Sequence, residues 1–182
     1  LAAAQRVSPP DAQPMLILAR QAADRLRRVV SAILTLFRSG SEVHWQRVDL
    51  AALLAQLQVE GLAISVERPA ELEADPDLLA AAMANLLDNA ARHGATRVQV
   101  EVRLQDKGDC IGLLDDGPGI SEDQRLLIQA GLTQQSYPSP LGMGLMLADL
   151  VARAHAGTLR VPPCTAGFRV ELLIGSAPAA PK

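Results

Sequence analysis

The chain has 182 residues, 49% of them hydrophobic, and a formal net charge of −3 at pH 7, which suits one large folded domain or one medium domain with a helical appendage. Because 17 basic residues are balanced by 20 acidic ones and no basic stripe alternates with aromatic side chains, the sequence predicts no nucleic-acid partner. No apolar run approaches the ~20 residues of a membrane span, so any membrane attachment is expected outside this chain.

Residues 16–37 carry the pattern of a helix that packs against other helices. Apolar side chains recur at alternating steps of three and four from Leu16 to Phe37, and a second apolar stripe widens this surface. The pattern predicts a four-helix bundle completed by an upstream helix and a second chain, hence a homodimer through this segment. The alternative is an ordinary amphipathic helix that lies on the main domain.

A polar joint, SGSE at 39–42, predicts the boundary between this segment and the main domain. We therefore divide the chain into a helical segment at 1–40, a main domain at 41–175 and a flexible tail at 176–182. Strands are expected at 43–48, 62–68, 97–104, 110–114, 158–161 and 168–174, and helices at 49–59, 76–93 and 143–156. This order predicts the α+β class: a two-layer α/β sandwich with a mixed sheet on one side and helices on the other.

The helix predicted at 76–93 carries a polar stripe. Its apolar face is formed by Leu79, Ala82, Met83, Leu86 and Ala90. Asn85, Asn89 and Arg92 recur at steps of four and three on another face, which we expect to point away from the core. Because asparagine is a poor helix former, the amides indicate a function: the Asn89 oxygen could bind Mg²⁺, and Arg92 or His93 could meet phosphate. The alternative is that the two amides bond neighbouring loops.

Two motifs that contain glycine indicate a site for a flat ring and for an anion. In LLDDGPGI, residues 113–120, a hydrophobic strand ends at Asp115, whose carboxylate could accept from an exocyclic amine such as that of adenine. Gly142 and Gly144 open the helix at 143–156, and the N–H groups at a helix start favour phosphate. Each motif has an alternative reading: an ordinary turn for the first, and a glycine-rich helix start for the second.

In this order and combination, the three motifs resemble those of the ATP-binding domain of sensor histidine kinases, within the Bergerat-fold (GHKL) superfamily. Residues 85–93, NLLDNAARH, resemble the N box, residues 115–119, DDGPG, the adenine-binding G1 box, and residues 142–145, GMGL, the G2 box. The heptad helix followed by WQRVDLAALL is similar to the family's second dimerisation helix and its entry into the ATP domain. The resemblance implies a partial dimerisation and phosphotransfer segment at 1–40 and a catalytic ATP-binding domain at 41–175.

The resemblance implies ATP and Mg²⁺ as cofactors, with Asn89 as the metal ligand and Asp115 as the acceptor for the adenine amine. It makes Asn85, Asn89 and Arg92 the catalytic set, under a mobile lid formed by the segment 121–141, which is predicted to be a loop. The implied nucleotide contacts are Asn85, Asn89, Arg92, His93, Asp115, Gly117, Gly119, Ile120, Gly142, Met143, Gly144 and Leu145. The γ-phosphate would pass to a histidine and then to an aspartate of a response regulator receiver domain, in the cytoplasmic portion of a bacterial inner-membrane sensor.

Some positions depart from the family pattern. ATP-hydrolysing relatives have a glutamate where this chain has Asn85, and its absence favours transfer to histidine, because a neutral imidazole needs little help from a base. The usual lid phenylalanines are absent, with Ile128 and Leu132 nearby instead, and Met146 replaces a usual glycine. The alternatives are a non-catalytic phosphotransfer or scaffold protein with a degenerate ATP site, and a GHKL-type ATPase.

The histidines and cysteines add no further site. His44, His93 and His155 all lack the closely following Asp or Glu that marks the acceptor, so we expect the acceptor histidine upstream of this chain. His44 is expected in a strand, and His155 is expected to be a packing or surface residue of the last helix. Cys110 and Cys164 lie far apart without a histidine at ligand spacing, which predicts two buried thiols rather than zinc or a disulfide.

Overall fold

The computed structural model describes residues 43–104, 108–137 and 142–177. The predicted helical segment at 1–40, with its dimer contacts, lies outside the described residues, as do residues 178–182 of the predicted tail. Within the described ranges, no helix has the length and hydropathy needed to cross a bilayer.

Seven strands in the described residues form one small and one large sheet. In chain order they are β1 (Gln46–Asp49), β2 (Ala63–Val66), β3 (Glu71–Ala74), β4 (Arg97–Arg103), β5 (Asp109–Asp115), β6 (Thr158–Arg160) and β7 (Phe168–Ile174). β1 and β3 pair antiparallel as a separate two-stranded sheet. The large sheet has the order β2-β4-β5-β7-β6, with β2 parallel to β4 and every other pair antiparallel. The predicted mixed sheet is therefore confirmed.

Four helices accompany these sheets in the described part of the chain. They are α1 (Leu50–Gln56), α2 (Pro76–Arg92), α3 (Glu122–Gln134) and α4 (Gly142–Ala154). α2 begins where the sequence predicts, because the Asp75 carboxylate accepts hydrogen bonds from the N–H groups of Asp77 and Leu78, and Pro76 occupies the first turn.

The core lies between the large sheet and the pair α2 and α4. Side chains alternate along the strands, so that Val98 and Val100 of β4 and Leu113 of β5 point into the core and are buried. All five members of the predicted apolar face of α2 are buried with them: Leu79, Ala82, Met83, Leu86 and Ala90. Full burial of one such leucine contributes about 1.5–3 kcal/mol. The expected two-layer α+β fold is confirmed.

The other face of the large sheet carries charged side chains. Arg169 of β7 pairs with Glu101 of β4 and with Glu171 of its own strand, and Arg103 of β4 pairs with the same two carboxylates. The sheet thus has one apolar face and one charged face, which is the pattern of an antiparallel sheet covered on one side.

The segment predicted as a loop at 121–141 contains the helix α3 instead. A capping box starts it: the Ser121 hydroxyl accepts from the Gln124 N–H at 3.2 Å, and the Gln124 side chain accepts from the Ser121 N–H at 3.0 Å. The loop prediction was wrong because the segment has too few aliphatic residues to show a helical apolar stripe. The start of its helix is marked by polar residues instead. Residues 138–141 lie outside the described part.

Three smaller predictions also need correction. β3 was not predicted, because its residues, ELEA, favour a helix over a strand. His44 precedes β1 rather than lying in it. Both cysteines are free, but Cys164 is exposed and only Cys110 is buried, so the prediction of two buried thiols was wrong for Cys164.

Candidate nucleotide-binding site

One cavity lies where the ends of several helices and strands come together. It has a volume of about 490 Å³ and lies between the end of α2, the end of β5 and the first turns of α3 and α4. Its lining residues are Asn89, Arg92, His93, Asp115, Pro118, Gly119, Ile120, Gln124, Leu127, Ile128, Gly142, Leu145 and Phe168. A larger groove of about 630 Å³ runs beside α1 and β2, but it contains none of the predicted site residues. The first cavity is therefore the candidate site.

The structure sorts the twelve predicted nucleotide contacts into two groups. The residues that line the cavity are Asn89, Arg92, His93, Asp115, Gly119, Ile120, Gly142 and Leu145. The residues that do not line it are Asn85, Gly117, Met143 and Gly144. The three motifs, which are well separated in sequence, therefore converge on one cavity.

Asp115 presents a carboxylate to the cavity from the end of β5. Its Oδ1 accepts hydrogen bonds from the N–H groups of Gly117 at 2.9 Å and Phe168 at 3.1 Å. Burial raises the pKa of the Asp115 carboxyl, and these two bonds and the nearby His93 act in the opposite direction. Among the described residues no donor reaches Oδ2, so that oxygen can accept a hydrogen bond from a ligand.

The neighbouring Asp116 has a different role. Its exposed carboxylate accepts from the Thr96 N–H at 2.7 Å, the Thr96 hydroxyl at 2.8 Å and the Arg97 N–H at 2.8 Å. The bond from Arg97, followed by those from Thr96, lowers the pKa of Asp116. Asp116 therefore ties the start of β4 to the end of β5 and supports the strand end at which Asp115 sits.

The predicted polar stripe of α2 is divided between the core and the cavity. Asn89 and Arg92 line the cavity, together with His93 just after the helix. Asn85 is only 2% exposed, and its side-chain nitrogen donates to the Ala81 carbonyl at 2.8 Å, one turn earlier in the same helix. The prediction that the whole stripe points away from the core was therefore wrong for Asn85.

The start of α4 borders the cavity and packs on α2. Gly142 and Leu145 line the cavity, and unpaired N–H groups at a helix start favour anions. Gly144 is buried, and a Cβ there would lie 3.3 Å from the Asn85 carbonyl oxygen. Its small size allows α2 and α4 to approach closely, a packing role that the sequence motif did not distinguish from phosphate binding.

Sequence reasoning missed part of the cavity wall. The missed lining residues are Pro118, Gln124, Leu127, Ile128 and Phe168, three of which belong to α3. Those three were missed because 121–141 was predicted to be a loop; the capping pair at its start was the available signal. Gly167, before β7, was also missed: its φ is +70°, and a Cβ there would collide with the Asp115 carbonyl oxygen.

The donor set fits a magnesium ion that is held mainly by a nucleotide. No group of three or more His, Cys, Asp or Glu side chains is suitably placed among the described residues to hold a metal alone. The Asn89 amide lines the cavity and offers one oxygen. Mg²⁺ typically keeps several waters and binds one or two protein groups plus substrate phosphates, so one amide oxygen beside an anion site is compatible with it.

Comparison with known proteins places the chain in a family. Residues 74–177 match the family described as histidine kinase-, DNA gyrase B-, and HSP90-like ATPase. The bacteriophytochrome of Pseudomonas aeruginosa is 32% identical over 156 residues, which cover 75% of this chain and 21% of that protein. The signal transduction histidine-protein kinase AtoS of Escherichia coli is 27% identical over 172 residues, 86% of this chain and 28% of that protein. The chain thus spans less than a third of either relative.

Solved structures agree with this assignment. The ATP binding domain of PrrB from Mycobacterium tuberculosis matches with a TM-score of 0.58 and 26% identity, over 74% of this chain and 99% of that one. The histidine kinase ThkA, solved in complex with the response regulator protein TrrA, matches in fold with a TM-score of 0.63 and 16% identity, over 97% of this chain and 55% of that one. Since residues 74–177 make up more than half of the 182, the chain belongs to the histidine kinase-, DNA gyrase B- and HSP90-like ATPase family, as the ATP-binding domain of a sensor histidine kinase.

Proposed function

We propose that the chain binds Mg·ATP in this cavity and transfers the γ-phosphate to a histidine of the longer protein, from which it passes to an aspartate of a response regulator. The observation that carries the proposal is Asp115: it lines the cavity together with Asn89, Arg92 and the start of α4, and no donor among the described residues reaches its Oδ2. A hydrogen-bond acceptor for an amine and a site for an anion lie in one cavity. They match the adenine end and the phosphate end of adenosine triphosphate.

The adenine end is assigned to the Asp115 side of the cavity. Its carboxylate accepts from the exocyclic amine, while Ile120, Leu145 and Phe168 supply apolar walls for a flat ring. Asp115 is held in place by its two backbone donors, so it does not need to reorganise when the base binds.

The phosphate end is assigned to Arg92, Asn89 and the first turn of α4. The Arg92 guanidinium carries a permanent charge and forms strong hydrogen bonds to phosphate oxygens. Asn89 would hold Mg²⁺, which when bound neutralises phosphate charge and orients the γ-phosphate for transfer. The remaining N–H groups at Gly142 and after it add to this anion site.

Phosphoryl transfer to histidine is favoured because the site lacks a general base at Asn85. That side chain is neutral, buried and bonded to its own helix, so it cannot activate water. His155 is unsuited as the acceptor: it is fully buried, and its ring nitrogens contact the Asp75 N–H and the Val151 carbonyl. An acceptor histidine outside the described residues is therefore part of the proposal.

The proposed function includes two partners, a response regulator and a second copy of the chain. ThkA was solved with a response regulator, which supports a receiver domain as the acceptor of the phosphoryl group from this protein. The homodimer through residues 16–37 follows from the heptad pattern, and the cytoplasmic placement beside a membrane stays a prediction.

Calorimetric titration with ADP, with and without Mg²⁺, tests the site. We expect the unmutated chain to bind ADP, and Asp115→Asn to lose affinity by at least about tenfold, because the new amide places a donor opposite the adenine amine while its oxygen keeps the Gly117 and Phe168 bonds. Asn89→Ala should lose the Mg²⁺ dependence of binding.

Asp116→Asn is the matched control, since it makes the same change at the adjacent carboxylate outside the cavity and should leave the ADP affinity unchanged. Absence of ADP binding by the unmutated chain, or equal losses in both aspartate variants, contradicts the proposed site. Steady ATP hydrolysis by the chain would instead support the GHKL-type ATPase.

A further inference from the structure

A buried carboxylate on α4, Asp149, joins elements that surround the cavity. Its side chain is 0% exposed, and Oδ2 accepts from the Arg153 Nε at 2.7 Å and the Tyr137 hydroxyl at 2.8 Å. Oδ1 accepts from the Leu159 N–H of β6 at 3.3 Å. A buried charge is costly unless it is paired and hydrogen-bonded in this way, so removal of one partner weakens the whole cluster.

Arg153 extends the cluster to α3. Its Nη2 donates to the carbonyl of Leu132, in the last turn of α3, at 2.6 Å. Tyr137 lies just beyond that helix end, and burial together with its bond to Asp149 raises the pKa of its phenol, which therefore stays a donor. Asp149 thus fastens the C-terminal end of α3 to α4 through two side chains.

α3 has few apolar contacts to hold it otherwise. Its buried residues are Ile128, Gly131 and Leu132 alone, and Leu126 and Leu127 are each 51% exposed. Val161, next to β6, makes two further polar contacts with the helix: its carbonyl accepts from Arg125 at 3.0 Å, and its N–H donates to Gln129 at 2.9 Å. The position of α3 therefore depends largely on polar side-chain bonds.

The helix α3, which Asp149 holds in this way, forms one wall of the cavity. α3 contributes Gln124, Leu127 and Ile128 to the lining, and α4 contributes Gly142 and Leu145. On α4, Asp149 follows Leu145 by four residues and Gly142 by seven, so the three lie on one face of the helix. The Asp149 cluster therefore lies about one helical turn along α4 from the cavity-lining Leu145, and it contacts the opposite end of α3 from the lining residues of that helix.

We propose that Asp149, Arg153 and Tyr137 are positioning residues for the nucleotide: they hold α3 against α4 and thereby set the width of the cavity. The proposal rests on the proposed function, since it assigns these residues to the same nucleotide. They act through α3 rather than by touching the ligand, because none of them lines the cavity.

ADP titration of the 182-residue chain tests the proposal. Tyr137→Phe removes one hydroxyl and should raise the Kd for ADP by about fivefold or more, the lower end of usual coupling between separate sites. Thr133→Ala is the matched control: it also removes a hydroxyl at this end of α3, but one that donates to Gln129 within the helix at 2.8 Å. Thr133→Ala should leave the Kd for ADP unchanged, and the comparison is made with the thermal stabilities of the two variants equal.

A double-mutant cycle separates positioning from general stability. Leu127→Ala shortens one of the three α3 side chains that line the cavity. If Tyr137 acts by placing that wall, its replacement raises the Kd less in the Leu127→Ala chain than in the unmutated one. Arg153→Lys keeps the charge but has one nitrogen in place of the two that donate to Asp149 and to Leu132, so it gives a second variant in which the same rise in Kd is expected.

The outcomes decide between the two proposals. If ADP binds and Asp115→Asn weakens binding at least about tenfold, but Tyr137→Phe and Arg153→Lys bind as tightly as the unmutated chain, the positioning role is wrong and the nucleotide site stands. Additive effects of Tyr137→Phe and Leu127→Ala on the Kd also overturn the positioning role. If the unmutated chain binds no ADP, both proposals are wrong.

Discussion

Asp115 and Asp116 are adjacent in the chain but differ in what they bind. Strand alternation turns Asp115 to the same side as the buried Leu113, towards the cavity, whereas Asp116 follows the strand and bonds the start of β4. The sequence predicted a strand that ends at Asp115, and the structure places this residue at the cavity, while its role towards adenine stays a prediction. The role of Asp116 could not be predicted, because it depends on Thr96 and Arg97, which come close only through the sheet register.

Asn85 shows the limit of prediction from periodicity. The step of four between Asn85 and Asn89 places both on one side of α2, but the close approach of α4 at Gly144 buries the first and leaves the second at the cavity. Helix spacing fixes which residues share a face of a helix. It does not fix where the next helix crosses that face.

At the residue scale, we predict that Gly167→Ala damages the site more than an equivalent change elsewhere. Gly167 and Gly61 have φ values of +70° and +76°, so alanine costs about 1 kcal/mol of unfolding free energy at either position for the backbone alone. At Gly61 no atom lies within 4 Å of a new Cβ, whereas at Gly167 the Cβ would collide with the Asp115 carbonyl.

Urea unfolding and ADP titration of both variants check this prediction. Gly61→Ala should lose only the backbone contribution and keep its ADP affinity. Gly167→Ala should lose more stability and also weaken ADP binding, because Asp115 must shift. Equal losses of stability in the two variants would show that the loop before β7 does not restrain Asp115.

At the scale of elements, α3 is the helix that sequence reasoning missed. Most elements were predicted within a few residues, because apolar alternation or a helical apolar stripe marks them. α3 has a weak apolar stripe, with three buried residues, and its stability comes from caps and from side-chain bonds to Val161, next to β6, and to α4. Such tertiary contacts are absent from a local sequence pattern.

We predict that the Ser121 cap contributes to both stability and nucleotide binding. Ser121→Ala removes the acceptor for the Gln124 N–H and should cost about 1 kcal/mol of unfolding free energy. Because Gln124 also lines the cavity, ADP affinity should fall as well. Hydrogen exchange of the α3 amides and ADP titration measure the two effects.

Ser121→Asp is the control for this prediction, since aspartate is an equally good N-cap and the change retains an acceptor at the helix start. The α3 amides of Ser121→Asp should exchange as slowly as those of the unmutated chain, and more slowly than those of Ser121→Ala. If Ser121→Ala exchanges no faster than Ser121→Asp, the capping box does not hold the first turn of α3 in solution.

At the scale of the whole molecule, α2 links two ends of the domain. Its last turn reaches the cavity, and its first turn meets the end of α4 through His155, whose Nε2 accepts from the Asp75 N–H at 2.9 Å. Trp45, near the start of the described chain, packs edge-on against the His155 ring at a centroid distance of 5.2 Å. His155 was expected to be a packing or surface residue, and the structure places it in the interior.

His155 must be neutral in the folded protein. Its Nε2 accepts a backbone N–H, so the proton lies on Nδ1, which donates to the Val151 carbonyl at 2.8 Å. Burial lowers the pKa of His155 from its usual 6.5, although the Val151 bond and the nearby Asp75 act in the opposite direction. A lowered histidine pKa gives stability that is present above pH 6.5 and is lost as the pH falls through the folded-state value.

We therefore predict that the unfolding free energy falls as the pH drops below 6.5, with a slope of at most about 1.4 kcal/mol per pH unit for uptake of one proton. The chain has 3 histidines, so His44→Gln with His93→Gln leaves His155 as the one that titrates. Urea unfolding of this variant should keep the acid loss, and its single imidazole NMR signal should titrate below 6.5. A midpoint at or above 6.5 would mean that protonated His155 is tolerated, and that the bond to Asp75 does not hold α2 to α4 as described.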